Sequence, residues 1–541
     1  MKLPLDLGAV NIGICVPDSC SPEYLASIFQ KSSDQYLEGS LKDISVEHCT
    51  DGKIEPLTTI NIVAITIFGV ATALMILSSI YEFCVDYYNK TPIPILLAFS
   101  MLTNGKRLFA INTKRSRNSI DCFNGLRVLS TLWIMNHHMY ANIYGTPMIN
   151  EVESGQFQKT VGFMFFITAP MSVDTFFFIG GCLVAWTGFR DLDKSNGKIN
   201  VFMNIVHRYI RLTPVVAIGL LLQLGIHSLL FTGPFKYIAQ TKCDGTNWWP
   251  ILLYIQNYYF PTVRCYEESW YLAVDFHLYA LSPLILIPMW KWGKKFIPVV
   301  CALIAASVAW VFAVFIMSDF TGMFIGINQG EWEMTYVPTH TRCAPWLMGF
   351  VFGYFIHYHR QSNFRISGIT QLLLWIGSLG TLLSIVLLPY FPSMIYGSSV
   401  FQASMYEGLK RVGWATALTW ISFSCYYGLG GFIDAFLSHP FWQPLSRLTY
   451  ALYLTHMAIE KLHFGSARTP IYFTPYNQFL YFWSAFGISL LLSIYITLAF
   501  ESPIMILEKF IFGGNKPVAK KVTLEEQPTH TIAMDQVQKV A

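Results

Sequence analysis

The sequence predicts an all-α integral membrane protein, a bundle of about eleven transmembrane helices. Of its 541 residues, 53% are hydrophobic and only 13% are charged, whereas a soluble protein carries about 25% charged residues. The mean hydropathy of +0.44 is correspondingly high. Aromatic residues make up 16% of the chain, which suits a protein that anchors many helix ends at membrane interfaces.

The predicted spans follow one another along most of the chain. Each is an apolar stretch near the roughly 20 residues that a transmembrane helix needs. The first is Thr58–Ile80, which contains no charged residue. The other ten are residues 121–144, 171–190, 209–231, 270–290, 296–317, 343–359, 369–390, 409–430, 446–463 and 479–507. The aromatic stretch Trp248–Phe260 is too short to span, so we expect it at the interface or dipping into the protein.

These spans divide the chain into five predicted parts. They are an amino-terminal cysteine-containing segment (1–57), the first transmembrane helix (58–80), a basic linker (81–117), a transmembrane domain (118–510) and a carboxyl-terminal tail (511–541). The tail is polar and lacks aromatics beyond its first residues, so we expect it to be disordered.

The distribution of Lys and Arg predicts the orientation in the membrane. Basic residues concentrate in the linker, in the loops on the same side of the predicted bundle and in the tail. Because cytosolic loops carry the excess of Lys and Arg, the carboxyl terminus is expected in the cytosol and the amino terminus outside the cell or in a lumen. The plasma membrane and the endoplasmic reticulum both fit this arrangement.

The positions of the cysteines agree with this orientation. Cys243 and Cys265 fall on the non-cytosolic side, where oxidation is possible, and we predict a disulfide between them. Cys15, Cys20 and Cys49 lie on the same side, and an odd number leaves one without a partner. We therefore expect a longer amino-terminal region, with a signal and the missing partner, upstream of this sequence.

Two classes of ligand find no support in the sequence. The cysteines form no C-x-x-C pattern of the kind that holds zinc, so we predict no metal site. No basic stripe is interleaved with stacking aromatics, so we predict no nucleic-acid partner.

The second predicted span carries an arginine and a histidine at a helical spacing. Arg127 and His138 are eleven residues apart, which places them on nearly the same helix face, about 16 Å apart along the axis. This spacing suits a long anionic donor that meets Arg127 near the cytosol and brings its reactive end to His138. The alternative is an arginine reaching toward the interface and a histidine bonded within the bundle. The neighbouring His137 points about 100° away and is expected to be structural.

Other ionisable residues in or near the spans are candidates for the same site, since intramembrane charges are usually functional or paired. Asp174 and Asp275 either orient His138 or accept structural hydrogen bonds. Arg208 and Arg211 either bind phosphates as forked donors or only flank a cytosolic helix end. The remaining candidates are His456, in the middle of a span, and Glu501, at the end of the last one.

An ordered set of segments resembles the acyltransferase-3 family of polytopic membrane acyltransferases, and within it the "nose resistant to fluoxetine" branch of invertebrates. The segments are Asn124-Gly-Leu-Arg127 through His138, Ser172-Val-Asp174-Thr-Phe-Phe-Phe, Arg208-x-x-Arg211-Leu-x-Pro214, Ser269-Trp-Tyr-Leu-Ala-Val-Asp275, Tyr450-x-x-Tyr453-Leu-x-His456 and Glu501-x-Pro503. The segment Gly13–Cys20 resembles the end of that branch's cysteine-containing domain.

The resemblance implies a catalytic histidine and a coenzyme A donor. Arg127 and His138 fit the family's signature of an arginine, ten residues and a histidine. The implied activity moves an acyl group, commonly acetyl, from cytosolic acyl-CoA to an acceptor within or across the membrane. His138 is then the catalytic residue, with Asp174 and Asp275 beside it. Arg127, Arg208 and Arg211 bind the phosphates of the donor.

The acceptor and the class of function stay open at this point. A membrane lipid, a sterol-like molecule or a glycan suits the aromatic interior and the sparse outside charge. A transporter of lipids or small amphipathic molecules would also use buried His, Asp and Arg residues. A non-catalytic receptor is the third alternative, given the cysteine-bearing amino-terminal segment.

Overall fold

The fold was analysed in a computed structural model of the chain. The structure describes residues 20–36, 56–231, 234–236, 243, 247–259, 265–321, 329–391 and 399–512. Within these ranges the regular secondary structure is helical, and a single isolated β-bridge joins Met148 to Ile471. Two of the amino-terminal cysteines, Cys15 and Cys49, and the predicted disordered tail beyond residue 512 lie outside the described residues.

The helices follow the predicted spans, with short helices between them. In chain order they are α1 (Pro22–Tyr36), α2 (Thr59–Tyr87), α3 (Met101–Leu108), α4 (Cys122–Tyr144), α5 (Glu151–Phe157), α6 (Val161–Ile167), α7 (Met171–Lys194), α8 (Val201–Leu221), α9 (Trp270–Leu281), α10 (Pro283–Trp292), α11 (Ile297–Met317), α12 (Thr339–His359), α13 (Gly368–Leu387), α14 (Val400–Tyr426), α15 (Gly431–Leu437), α16 (Trp442–Gly465), α17 (Pro475–Ile496) and α18 (Ser502–Phe512).

Several helices continue through a turn of different geometry. A π-helical turn, Leu222–Ile226, extends α8 to Leu230, and another, Thr497–Glu501, joins α17 to α18. The stretch predicted to dip into the protein forms two short helical turns, Trp249–Leu252 and Gln256–Tyr259, instead of a span. Asn257 anchors the second turn because its side-chain amide donates to the carbonyls of Trp270 and Val337 at 2.9 and 3.0 Å.

The protein is an all-α membrane helix bundle, as the composition predicts. Six helical stretches in the described part of the chain are long and apolar enough to cross a membrane: Thr59–Tyr87, Met171–Lys194, Val201–Leu230, Glu267–Met317, Gly368–Tyr390 and Pro475–Phe512. Each of the eleven predicted spans coincides with a helix or a helix pair. The helices α4, α12, α14 and α16 are not among the six, because polar residues interrupt their apolar surface.

The two ends of the bundle differ in chemistry. One end, called here the disulfide end, contains the carboxyl ends of α4, α8 and α16 and the predicted disulfide between Cys243 and Cys265, which the structure confirms. The opposite, basic end contains the linker after α2. There the Arg447 guanidinium donates to the carbonyls of Leu108 and Ala110 at 2.7 and 2.5 Å, and Arg115 pairs with Asp434 at 2.6 Å. These contacts fix the linker to α15 and α16.

Helices α7 and α12 pack more closely than side chains of ordinary size would allow. A methyl group added at Gly181 would overlap the carbonyl of Trp346. Added at Gly349 or Gly353, it would overlap the carbonyl of Phe178 or Cys182. Small residues that let helix backbones meet are the usual basis of helix association in a membrane. These glycines, called here the glycine seam, hold α7 and α12 side by side in parallel.

The first helix, α2, is attached to the bundle through a buried asparagine. The Asn61 side-chain amide donates to the Gly225 carbonyl at 2.6 Å and to the Ser228 hydroxyl at 3.1 Å. Helix α2 can approach this close because residue 225 is a glycine. A methyl group at Gly225 would overlap Ala64 and the Ile60 carbonyl of α2. The predicted domain boundaries at residues 57, 80, 117 and 510 stay predictions.

Candidate active site

Two histidines from neighbouring helices meet inside the bundle. His138 of α4 and His456 of α16 lie with Nδ1 of the first 2.7 Å from Nε2 of the second, and their rings stack with centroids 5.0 Å apart. His456 is completely buried, whereas His138 keeps part of its surface accessible. A reactant can therefore touch His138 while His456 stays sealed behind it.

The partners of the two rings define which nitrogens carry protons. Nδ1 of His456 lies 2.7 Å from the carbonyl oxygen of Tyr453, which only accepts hydrogen bonds. Nδ1 of His456 must therefore carry its proton, and in the neutral ring Nε2 is then the acceptor. His138 consequently donates from Nδ1, which leaves Nε2 of His138 as a free basic nitrogen.

The helix that carries His456 is held in place by tyrosines. Tyr450 donates from its hydroxyl to the Leu212 carbonyl of α8 at 2.9 Å, and Tyr453 donates to the Glu268 carbonyl at 3.1 Å. In the opposite direction, the Tyr266 hydroxyl donates to the carbonyl of Leu454. One bond joins α16 to α8 and two join it to the turn at residues 266–269, so the position of His456 is fixed from two sides.

His137 has the structural position that its helix angle predicts. Its Nδ1 lies 2.8 Å from the Phe166 carbonyl of α6, so this nitrogen donates. The ring points away from His456, and the two neighbouring histidines of α4 serve different contacts. His138, with the free Nε2, is the one of this pair that is available as a base.

Arg127 lies on α4 nearer the basic end and is buried, with no ionic partner among the described residues. Its side chain is 4% exposed, and its Nε and Nη2 donate no hydrogen bond within the described residues. Tyr271 and Cys182 are the polar groups in its surroundings. A buried guanidinium without partners is costly, and an anionic ligand would supply the missing acceptors.

Arg208 and Asp275 form an ion pair with each other. The guanidinium Nη2 of Arg208 donates to Oδ2 of Asp275, and the guanidinium also lies over the ring of Tyr279 at 4.4 Å. Both charged groups are buried. Asp275 therefore compensates Arg208, and the hydrogen-bond partner of His138 is His456 and not Asp275.

Arg211 lies one helical turn beyond Arg208 and is less fully compensated. Its Nη2 is buried and donates no hydrogen bond to any residue that the structure describes, while Glu501 and Glu508 are among the charges around it. Glu501 accepts a hydrogen bond from the Thr497 hydroxyl within the π-helical turn at 3.1 Å. All three predicted phosphate-binding arginines therefore keep a side-chain nitrogen without a hydrogen bond within the described residues. In Arg208 this nitrogen is Nε, because its Nη2 donates to Asp275.

Asp174 also pairs with an arginine and not with His138. Oδ2 of Asp174 lies 3.2 Å from Nη1 of Arg342, and Nε of Arg342 donates to the Tyr336 carbonyl at 2.7 Å. Arg342 lies over the ring of Tyr336 at 4.3 Å. The pair joins α7 to α12 beside the glycine seam, so Asp174 has a structural role in this position.

Sequence reasoning did not single out the charged residues that surround this pair. Glu407, Lys410 and Arg411 of α14 are buried, with Lys410 paired to Glu407. Arg411 approaches Glu407 at 3.9 Å. Lys410 and Arg411 fall inside the predicted span 409–430. Charged residues within a span are costly and usually functional or paired, so their position in the sequence could have identified them as candidates.

A second polar contact repeats the histidine pair one turn closer to the disulfide end. Asn142 follows His138 by four residues on α4, and Glu460 follows His456 by four residues on α16. The Asn142 amide donates to Oε2 of Glu460 at 3.0 Å. Residues four apart share a helix face, so the same two faces that join the histidines also join this pair.

The histidine and the arginine on α4 supply two groups that acyl transfer needs. Separately, no group of His, Cys, Asp and Glu suited to a metal ion occurs in the described part of the chain. A basic imidazole nitrogen with accessible surface and an unpaired arginine share one helix. Together they provide a base for a nucleophile and a cation for an anionic donor.

The chain is similar to several known proteins. Residues 120–498 match the family model for an acyltransferase domain. Nose resistant to fluoxetine protein 6 of Caenorhabditis elegans is 25% identical over 94% of this chain and 67% of that protein. Regulator of hypoxia-inducible factor 1 of the same organism is 22% identical over 67% of this chain and 74% of its own length.

A bacterial relative shares a smaller part of the chain. A putative O-acetyltransferase of Staphylococcus aureus (strain COL) is 24% identical over 56% of this chain and 48% of that protein. This chain thus spans about half the length of the staphylococcal relative. No solved structure matches the chain.

The helical bundle, its membrane-length helices and the matched domain together define a membrane acyltransferase. The chain belongs to the acyltransferase-3 family, because the family model covers well over half of it. The similarity along 94% of the chain to the fluoxetine-resistance protein confirms the predicted resemblance to that branch.

Proposed function

We propose that this protein transfers an acyl group, most simply acetyl, from acyl-CoA to a hydroxyl or amine of an acceptor at the disulfide end. The observation that carries the proposal is the histidine pair, in which His456 fixes the tautomer of His138 and leaves Nε2 unprotonated. The acceptor is a membrane lipid, a sterol-like molecule or a glycan.

The donor enters from the basic end, which the distribution of Lys and Arg assigns to the cytosol. Arg127 and Arg211 supply guanidinium nitrogens without hydrogen bonds, and phosphates are natural partners for these planar donors. About 16 Å separate Arg127 from His138 along α4. A phosphate-bearing donor with a long arm can therefore meet both residues. The protein resides in the plasma membrane or the endoplasmic reticulum, with its amino terminus outside or in the lumen.

In the transfer step, His138 takes a proton from the acceptor and passes it to the leaving group. Nε2 of His138 accepts the proton of the acceptor hydroxyl as its oxygen attacks the thioester carbon. The new C–O bond forms, the C–S bond breaks, and His138 returns the proton to the departing sulfur. In the alternative order, Nε2 attacks first and forms an acyl-imidazole, which the acceptor then resolves. Both orders need the same unprotonated nitrogen.

The experiment is CoA release from radiolabelled acetyl-CoA by the purified full-length protein. We expect the His138→Ala variant to lose the label transfer while its expression and thermal stability stay close to those of the parent. His463→Ala removes an exposed histidine of α16 and serves as the matched control that keeps activity. Undiminished turnover in His138→Ala would overturn the assignment. Substrate uptake into proteoliposomes without acetyl-CoA would instead support a transporter.

A further inference from the structure

In the part of the chain that the structure describes, three buried carboxylate oxygens near the histidine pair accept no hydrogen bond from another residue. Oε1 of Glu460 is unpaired although Oε2 binds Asn142. Neither side-chain oxygen of Glu268 accepts a hydrogen bond from another residue. Glu460 is 0% exposed and Glu268 is 3% exposed, so water at the surface does not satisfy these oxygens.

The two carboxyl groups belong to the same neighbourhood. Glu268 and Glu460 interact electrostatically with each other, and the Glu268 backbone carbonyl binds the hydroxyl of Tyr453, one turn before His456. Glu460 lies one turn beyond His456 on the same face of α16. Both carboxylates therefore lie beside the histidine pair, toward the disulfide end, and we call them the carboxylate pair.

Side chains of the protein do not neutralise the carboxylate pair. Lys461 lies in its surroundings, but no ion pair within 4.0 Å joins Lys461 to either glutamate in the described part of the chain. Glu267 adds a further negative charge beside Glu268. Two carboxylates that share a site repel each other, and burial of their charge without a partner is unfavourable.

A cationic ligand would remove this cost. A primary ammonium group carries three N–H donors, which equals the number of unpaired carboxylate oxygens. Hydrogen bonds between an ammonium and a carboxylate are roughly twice as strong as neutral ones. A neutral hydroxyl supplies only one donor and leaves the negative charge uncompensated.

We propose that Glu268 and Glu460 bind a primary ammonium group of the acceptor, which makes the acceptor an amino alcohol or a lipid with an amino alcohol head group. The proposal rests on the proposed acyl transfer at His138. The ammonium keeps its protons and holds the molecule, and its neighbouring hydroxyl is the group that loses a proton to Nε2 of His138 and receives the acyl group. Asn142 orients Glu460 for this contact.

Binding is tested with ethanolamine and with ethylene glycol, its neutral analogue of similar size, in the purified full-length protein without acetyl-CoA. We expect ethanolamine to raise the melting temperature of the parent and of His138→Ala, with ethylene glycol ineffective at the same concentration. Glu460→Gln and Glu268→Gln should weaken ethanolamine binding about tenfold, the loss of one charge-assisted bond. Equal shifts from both compounds, or unchanged binding in both variants, overturn the proposal.

Two further variants separate the carboxylate pair from its charged neighbours. Glu267→Gln removes the adjacent, half-buried carboxylate and should keep the ethanolamine response. Lys461→Met removes the only lysine near the pair within the described residues and should strengthen ethanolamine binding. If Lys461→Met instead destabilises the unliganded protein and gains no response, Lys461 is itself the counter-ion and the proposal is wrong.

Activity measurements distinguish this proposal from the proposed function. With acetyl-CoA present, we expect ethanolamine to stimulate CoA release, and Glu460→Gln to raise the KM for ethanolamine about tenfold. His138-dependent CoA release that shows no preference for the amine would refute the carboxylate pair alone. An ethanolamine-dependent melting shift without any CoA release would refute the acyl transfer alone.

Discussion

His456 acts on the reaction through His138 and does not need to touch a substrate. Its Nδ1 donates to the Tyr453 carbonyl, and its Nε2 accepts the hydrogen bond from the Nδ1–H of His138. Without an acceptor at that position, nothing would hold His138 with its free nitrogen toward the reactants. His456 is therefore a positioning residue, comparable in role to the group that orients the base of a catalytic triad.

Replacement of His456 tests this role. His456→Phe should lower kcat about 100-fold, the lower range of what a positioned general base contributes, with little change in the KM for acetyl-CoA. His456→Gln places an amide oxygen near the former Nε2 and should restore a large part of kcat. Steady-state kinetics on both variants, with melting curves as the folding control, decide the point. Equal loss in the two variants would mean that His456 only fills space.

The three arginines of the candidate site differ in what compensates them. Within the described residues Arg127 and Arg211 keep nitrogens without hydrogen bonds, whereas Arg208 is paired to Asp275 through Nη2 and only its Nε lacks an acceptor. A buried charge without a partner reduces stability, and the loss of one member of a buried pair costs about 3–5 kcal/mol. The effects of substitution on stability should therefore have opposite signs.

We expect Arg127→Met to raise the melting temperature and to raise the KM for acetyl-CoA about tenfold, the worth of one charge-assisted contact. Arg208→Met should lower the melting temperature, because it leaves Asp275 buried and uncompensated. The double variant Arg208→Met with Asp275→Leu removes both charges and should recover much of the lost stability. A melting temperature of Arg127→Met below that of the parent would show that Arg127 has a structural partner.

For single residues, the sequence predicts which helix face a side chain lies on better than it predicts which side chain on another helix it contacts. The spacing of Arg127 and His138 predicts that they share a face of one helix. Which helix lies opposite that face depends on packing, so His456 was a separate candidate and not the partner of His138. The same limit applies to the aspartates. Asp174 and Asp275 pair with arginines of other helices, and the periodicity of one helix does not predict contacts with another helix.

At the scale of elements, the glycine seam determines how closely α7 and α12 approach. Gly349→Ala should destabilise the protein by about 1–3 kcal/mol, because overpacking forces the backbones apart. Gly377→Ala, in α13, is the matched control, since a methyl group there meets no atom within 4 Å. Melting curves in detergent should show a loss for the first variant and none for the second.

A shift of α7 away from α12 would also disturb the ion pair between Asp174 and Arg342 near the start of both helices. Asp174 and Arg342 bridge the same two helices, so we expect the Gly349→Ala variant to lose the fixed position of this pair. If Gly349→Ala melts like the parent, the two backbones have room to separate and the seam does not fix their distance. The sequence shows the glycines but not their partner, because Gly-rich helices have several neighbours in a bundle.

At the scale of the whole molecule, composition and apolar length predict most of the fold. They give the all-α class, the membrane location and helix positions that agree with the structure to within several residues. They do not give the path of the irregular segments between spans, because those depend on single contacts such as the amide of Asn257. The short turns Trp249–Leu252 and Gln256–Tyr259 are an example.

The orientation in the membrane is the prediction that belongs to this scale. Val152 is exposed near the disulfide end, and Lys114 is exposed at the basic end. With a membrane-impermeant maleimide on intact cells, Val152→Cys should gain label over the parent protein, because we place that end outside. Lys114→Cys should gain label only after the cells are permeabilised. The reverse pattern would invert the predicted topology and place the donor entrance on the wrong side.

The uneven polarity of the helices has a consequence for synthesis. Four helices with buried polar residues, α4, α12, α14 and α16, are not apolar enough to qualify as spans on their own. A polar side chain that meets lipid before its partner arrives is costly, and α16 emerges from the ribosome some 300 residues after α4. Until then His138 and Asn142 have no partner to bind. The nascent chain must therefore retain α4 beside the translocon, or beside another shielding factor, until α16 arrives.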